Sequence, residues 1–397
     1  MPETDEVIDW DLAINTANRL VKPGPQVSRD EAAEVVSDLR RYAAEAVGHV
    51  HHITGLDAPV SAAPILVVDR HGWIAANAGG LRNVLEPLSD KLRARRTVAP
   101  GGGLMTAVGS RVTGLEVGTL LAFLAGKVLG QYEMFGDGLG LPSQPGSEAS
   151  SRTAPDPTGG KPADAVRVDE PGALRPAVGG SAHGSLLLVA PNILQVEREL
   201  RVVHRDFRLW VCLHEETHRA QFAAVPWLRE QVAAEVRGFL DETELDAGAM
   251  LHRLREGLDA LVDAIRGEGD VALIDVVQTP RQKEILARLT GVMSLLEGHA
   301  DYVMDATGPQ TIPTVADIRK KFHRRRAGTG RFDVALRRLL GLEAKMRQYR
   351  DGERFVRTVV ERVGMDGFNR VWTSPNTLPG AAEITDPETW LRRMRLA

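Results

Sequence analysis

The stretch Leu213-His214-Glu215-Glu216-Thr217-His218 decides how this chain is interpreted. Its H-E-x-x-H spacing is the pattern of a helical zinc site in metallohydrolases. Residues four apart on an α-helix share one face, so the imidazoles of His214 and His218 can meet one metal ion through a ring nitrogen each. Glu215 lies about 100° around the helix from His214. We therefore expect Glu215 to flank the metal as the catalytic general base, taking a proton from a water molecule.

The residues around this motif favour a helix whose histidine face is buried. The run 207–213 is mostly apolar and contains no Gly or Pro, and the pattern continues to Val225 before Pro226 ends it. Phe207 and Trp210 share the face of the two histidines, so we expect that face to lie in the core. Buried imidazoles need polar partners, and two hydrogen-bonded core histidines are the alternative to a zinc site.

A catalytic zinc ion usually has three protein ligands and one open position. In one common variant the third ligand follows in the pattern H-E-x-x-H-x-x-G-x-x-H. This chain has Gln221 where that pattern has Gly, and Ala224 where it has His. The variant is therefore excluded, and the third ligand must come from a later segment.

The segment Glu297-Gly298-His299-Ala300-Asp301 is the best source of that ligand. It lies late in a predicted buried helix, and Glu297, Asp301 and Asp305 line one face at four-residue spacing. Half-buried like charges are costly without a cation. We expect Glu297 to bind zinc and Asp301 to hydrogen-bond the far nitrogen of a ligating histidine.

Two alternatives to Glu297 stay open. His299 lies about 200° around the helix from Glu297, so the two cannot both ligate without a helix break, which Gly298 could supply. His299 is thus the alternative metal ligand. Without a metal, the acidic row would be a solvent-facing helix end.

Length and composition are those of an ordinary globular protein: 397 residues, 43% hydrophobic and 26% charged. A net charge of −4 argues against bulk nucleic-acid binding.

The sequence shows no signal for secretion or membrane insertion. The acidic N-terminus lacks the layout of a secretory signal. The most apolar stretch, Val117 to Leu129, is short for a membrane span and predicts a buried helix. The single cysteine, Cys212, fits a reducing compartment and is expected to pack rather than bind metal. We expect a cytoplasmic protein with no nucleic-acid or membrane partner.

The chain divides into three predicted regions within a mainly α fold of the α+β type. Residues 1–135 form a helical region with a β-hairpin made by 65–69 and 73–76. Residues 136–184 are rich in Pro, Gly and Ser and predict a flexible insertion. Residues 185–397 form the helical metal-binding region, as one compact unit with 1–135, and begin with a short buried strand at 185–190. The other predicted helices are 9–20, 28–47, 229–240, 242–266, 280–304, 315–325, 332–349, 353–363 and 387–394.

The chain resembles the zincin-like metallopeptidases of type 2, a family first defined as a domain of unknown function. The matching stretches are 207–222, around the H-E-x-x-H motif, 296–301, 351–356 and 364–372. The resemblance implies a mainly helical zincin-like fold with a zinc site. One branch of the family is associated by name with the biosynthesis of a deazaflavin coenzyme.

The first hypothesis is a zinc-dependent hydrolase, a peptidase, in which His214, His218 and Glu297 hold Zn²⁺ and Glu215 is the base. A small amide or ester is the alternative substrate. We expect strand 186–190 to offer a free edge to an extended peptide, and Tyr302 and His183 are candidate oxyanion partners. The second hypothesis is a non-catalytic zinc protein that organises partners, with His299 or Asp301 filling the fourth position.

Overall fold

The computed structural model describes residues 8–58, 63–98, 103–135, 184–242, 279–327 and 342–396, and it is mainly helical with one small sheet. The helices are α1 (Trp10–Leu20), α2 (Arg29–Thr54), α3 (Arg70–Val98), α4 (Gly103–Ala125), α5 (Ala190–Leu200), α6 (His204–Ala224), α7 (Pro226–Asp241), α8 (Pro280–Ala306), α9 (Gly308–Thr311), α10 (Val315–Ala327), α11 (Leu342–Phe368), α12 (Ala381–Thr385) and α13 (Pro387–Arg393). The strands are β1 (Ile65–Val68), β2 (Gly130–Glu133) and β3 (Ser185–Val189). This architecture confirms the predicted mainly α fold with a small sheet.

The sheet joins the two ends of the predicted insertion. Its strand order is β1-β3-β2, with β3 parallel to β1 and antiparallel to β2. Strands from both sides of residues 136–183 therefore share one sheet. The expectation that β3 offers a free edge is wrong, because β1 and β2 pair with both of its edges and all five of its residues are buried.

The predicted β-hairpin is also wrong in its second half. Residues 73–76 belong to α3, and the partner of β1 is β3, far along the chain. The carboxylate of Asp69 accepts a hydrogen bond from the Gly72 amide at 2.7 Å, which caps the start of α3. Trp73 and Ile74 are both buried, which suits a helix face but not the alternation of a half-buried strand.

The apolar stretch 117–129 is only partly the buried helix expected. It is helical to Ala125, and Leu129 then leads into β2. The inner side of α4 packs on α1 through Gly114 and Gly118, where an added Cβ would collide with α1. Its outer side exposes Leu120, which is 39% accessible. The predicted helix 242–266 and most of 332–349 lie outside the described residues. Among the helices that the structure does describe, none is long and apolar enough to cross a bilayer.

Helix α6 carries the H-E-x-x-H motif through the middle of the core. Buried charges on its first half fix its axis: the Arg208 guanidinium donates to Glu197 of α5 and to Asp38 of α2, each at 2.8 Å. Asp206 accepts from the Thr314 hydroxyl at 2.7 Å, just before α10. Because removing one partner of a buried ion pair is costly, these contacts lock α6 against three neighbouring helices.

Candidate metal centre

His214 and His218 meet Glu297 at the crossing of α6 and α8. The Nε2 atoms of the two histidines are 3.2 Å apart, and their rings are nearly perpendicular, at 89°. Glu297 Oε1 lies 3.5 Å from His218 Nε2, and Oε2 lies 3.6 Å from His214 Nε2. Among the described residues, these three form the group of His, Cys, Asp and Glu side chains that could hold a metal ion. The structure thus brings together the three predicted ligands.

The spacing of these atoms fits a tetrahedral zinc ion. Bonds of about 2.0–2.1 Å at tetrahedral angles place ligand atoms roughly 3.3 Å apart. The two histidine Nε2 atoms are 3.2 Å apart, and each lies 3.5 or 3.6 Å from a different oxygen of the Glu297 carboxylate, which is close to that spacing. Two imidazoles and one carboxylate, the three ligands that the described residues bring together, are also the donor set of a catalytic rather than a structural zinc site. The residues present therefore fit zinc.

The Glu215 carboxylate lies beside this group and packs against strand β2. A Cβ added at Gly130 would lie 2.6 Å from Glu215 Oε1, so only glycine admits this approach. Burial raises the pKa of Glu215, against the lowering effect of the His214 and His218 charges, while the charge of Glu297 raises it further. Glu215 accordingly takes up a proton more readily than an exposed glutamate does.

His218 and Glu297 also stabilise each other's charged forms. Burial alone would lower the pKa of His218, but its hydrogen bond to Glu297 and that carboxylate's charge raise it to about 9. Burial alone would raise the pKa of Glu297, and the two histidines instead hold it well below its usual range. A divalent cation would replace this proton-mediated pairing with direct coordination.

His299, the alternative ligand, is not brought to the group. Helix α8 runs through Gly298 without the break that this alternative required. The His299 ring is fully buried between Phe368 and Trp372, with ring centroids 5.0 and 5.7 Å away. Burial, with a smaller effect of the His218 charge, lowers its pKa to about 3, so His299 is neutral.

Asp301 and Asp305 account for the rest of the acidic row. Asp301 Oδ1 is 3.9 Å from Nδ1 of His214, one of the two candidate ligating histidines, which is beyond hydrogen-bond distance. Met304 Sδ lies closer to the same nitrogen, at 3.1 Å. Asp305 pairs with Arg319 and, at 2.8 Å, with Arg357. The row is half-buried, so it is not a solvent-facing helix end, and arginines balance its far part.

Three contact residues were not predicted as part of the site: Gln221, Gly130 and Met304. Gln221 could have been found, because it lies three residues after His218 on the same helix face. Gly130 carried no such signal, since only the fold brings it to Glu215. Of the two candidate oxyanion partners, His183 lies outside the described residues. Tyr302 faces Arg357, whose guanidinium is 6.0 Å from its ring.

A cleft of about 750 Å³ opens onto the group. His214, Glu215 and Glu297 line it together with Gly130. Its apolar lining consists of Trp210, Val211, Met304, Phe322, Phe123 and Leu124. Arg325 of α10 also lines it and is paired with Glu199 at 2.9 Å. Cys212 is buried away from the cleft, with Sγ 3.8 Å from the Leu39 carbonyl oxygen.

Comparison with known proteins identifies a similar solved structure and a matching family. A crystal structure from Chloroflexus aurantiacus, described as "a putative hydrolase with a novel fold", is similar to this chain with a TM-score of 0.63. The sequences are 26% identical, and the match covers 98% of this chain and 99% of the other. No curated protein matches significantly. Residues 8–391 match the family model described as zincin-like metallopeptidase, so the chain belongs to the zincin-like metallopeptidases.

Proposed function

We propose that the protein is a zinc peptidase. The observation that carries this proposal is the placement of Glu215 beside His214, His218 and Glu297, whose ligand atoms lie close together at a large cleft. A site meant only to hold structure needs no buried proton acceptor next to an open coordination position. The non-catalytic alternative requires a fourth protein ligand, and the described residues bring only three to the group.

The roles of the residues follow from their positions. His214, His218 and Glu297 hold the ion, which when bound supplies positive charge that acidifies water and polarises a carbonyl group. Glu215, kept next to the site by Gly130, takes the proton of the attacking water and passes it to the leaving amine. Met304 and Asp301 border the His214 ring and limit its rotation.

The cleft favours a peptide over a small amide or ester. Its volume of about 750 Å³ lies in the upper part of the range of ligand sites, far more than one acyl group needs. Strand β2 borders the cleft at Gly130, and among the described strands its neighbour in the sheet is β3. We propose that β2, rather than β3, lies alongside an extended substrate.

The apolar lining of the cleft defines the preferred side chain. Trp210 and Phe322 meet edge to face, with ring centroids 5.0 Å apart, and both line the cleft. Phe123 of α4 lines the same cleft. A large apolar residue adjacent to the cleaved bond would bury its surface against these rings.

A peptide library incubated with the zinc-loaded protein tests the function. We expect cleavage next to large apolar residues, and we expect Glu215→Gln to retain one zinc ion while losing roughly 10²–10⁴ in kcat. Full activity of Glu215→Gln would refute the mechanism. Hydrolysis of small amides or esters without any peptide cleavage would instead support the alternative substrate class.

A further inference from the structure

Gln221 connects the metal-site histidine His218 to the buried residue His299. Its side chain is fully buried on α6. Its Oε1 lies 3.0 Å from His218 Nδ1, and its Nε2 lies 3.0 Å from His299 Nδ1 and 3.1 Å from the carbonyl oxygen of Leu296. Both Nε2 hydrogens and one acceptor position of Oε1 are therefore used.

The Leu296 carbonyl fixes which way round the amide lies. A main-chain carbonyl only accepts hydrogen bonds, so the atom that faces it must be the donor Nε2 and not the acceptor Oε1. The oxygen then faces His218 Nδ1, which must carry a hydrogen to donate. On a neutral ring this leaves the lone pair of His218 on Nε2, the atom that lies 3.5 Å from Glu297 Oε1.

His299 completes the arrangement from the other side. The second Nε2 hydrogen of Gln221 points at His299 Nδ1, which must accept it. A neutral His299 then carries its own hydrogen on Nε2, and this buried atom has no hydrogen-bond partner. It lies among the rings of Phe368 and Trp372, where an N–H can make only weak contacts with π faces. An unsatisfied buried donor is costly, so its retention indicates that the Nδ1 acceptor is needed.

We propose that Gln221, held by the Leu296 carbonyl and His299, is a positioning residue that keeps His218 in the tautomer whose Nε2 faces the metal. The predicted support for a ligating histidine, the Asp301 carboxylate, lies near His214, whereas the polar partner of His218 is a neutral amide. Gln221 also ties His218 to the main chain directly before Glu297, so one side chain aligns two of the three ligands. The proposal rests on the zinc site of the proposed function but not on the identity of the substrate.

Zinc affinity measured by competition with a chromogenic chelator tests this role. Gln221→Leu keeps the volume and removes the acceptor, and we expect roughly 10–100-fold weaker zinc binding. Gln221→Glu keeps an acceptor for His218 Nδ1 but loses the hydrogens given to the Leu296 carbonyl and His299, so it should restore only part of that loss. Thr217→Val is the matched control: Thr217 is buried on the same helix and its hydroxyl donates only to the Leu213 carbonyl, so zinc affinity should be unchanged.

A second readout observes the tautomers directly and does not depend on any variant folding. In zinc-loaded wild-type protein with ¹⁵N-labelled histidine, long-range ¹H–¹⁵N spectra should show His218 protonated at Nδ1 and His299 protonated at Nε2. Coordination of His218 through Nδ1, a hydrogen on His299 Nδ1, or unchanged zinc affinity in Gln221→Leu would each overturn the proposal. If zinc binds as expected but no peptide is cleaved, only the peptidase assignment fails.

Discussion

Gly298 of α8 and Gly352 of α11 are in direct backbone contact. A Cβ added at Gly298 would overlap the main chain of Gly352, and one added at Gly352 would overlap the carbonyl group of Ser294. The sequence interpretation gave Gly298 the role of a possible helix break, which is wrong. Because Gly298 has no side chain, α8 instead lies tightly against α11 at this point. Gly298 is the residue after Glu297, a proposed metal ligand.

Gly298→Ala should therefore weaken both the fold and the metal site. Forcing a methyl group into this contact is expected to cost about 1–3 kcal/mol or more of the free energy of unfolding, and the helix shift that relieves it moves Glu297. Urea unfolding and zinc titration measure the two effects. Gly291→Ala, on the same helix, is the control, because its added Cβ comes no closer than 3.4 Å to the Pro379 carbonyl oxygen. Equal behaviour of the two variants would contradict this account.

Gly130→Ala should separate catalysis from metal binding. The added methyl group would displace the Glu215 carboxylate. His214, His218 and Glu297 are not among the residues that this methyl group would meet first. We expect kcat to fall by at least roughly tenfold, part of what a misplaced general base loses, with zinc still bound in equal amount. Gly79→Ala is the control, since an added Cβ there meets nothing within 4 Å. Loss of zinc together with activity would show that Gly130 supports the whole site and not the base alone.

The metal site could be predicted from the sequence further than its surroundings could. His214 and His218 are four residues apart, and Glu297 belongs to an acidic row in a helix whose apolar run signals burial, so local patterns alone predict that these three side chains come together. The pairing of β1 with β3 and the approach of Gly130 to Glu215 depend on contacts between distant segments, which no local pattern records. The hairpin was mispredicted for the same reason: the segment Arg70-His71-Gly72 resembles a turn, and only the Asp69 cap and tertiary packing make it the start of a helix.

Phe123→Ala should lower the selectivity for large apolar substrate residues. Phe123 is half-buried on the cleft wall, so the change removes contact area without opening the core. The ratio of kcat/KM for a peptide with Phe to one with Ala beside the cleaved bond should fall roughly 10-fold, as expected for lost apolar contact. Leu120→Ala, one turn earlier on α4 and exposed, should leave that ratio unchanged. An unaltered ratio in Phe123→Ala would show that this part of the cleft does not bind the substrate side chain.

The C-terminal helices should lose stability in acid through Glu383. Its carboxylate accepts two hydrogen bonds from Arg393, at 2.6 and 2.9 Å, and one from the Gly380 amide at the start of α12. Burial alone would raise the pKa of Glu383, but the combined effect of these hydrogen bonds and the Arg393 charge is larger, so its pKa is lowered. Because the folded-state pKa is the lower one, the contribution of Glu383 to the free energy of unfolding is complete above the unfolded-state pKa, about 4.3, and is lost as the pH falls through the folded-state pKa.

The variant Glu383→Gln tests this account. Arg393 is partly exposed, so the change should cost only about 1 kcal/mol at pH 7, and unfolding curves of the variant and wild type should converge in acid. A deficit that stays constant down to pH 3 would mean that packing of Glu383, and not its charge, stabilises α12 and α13.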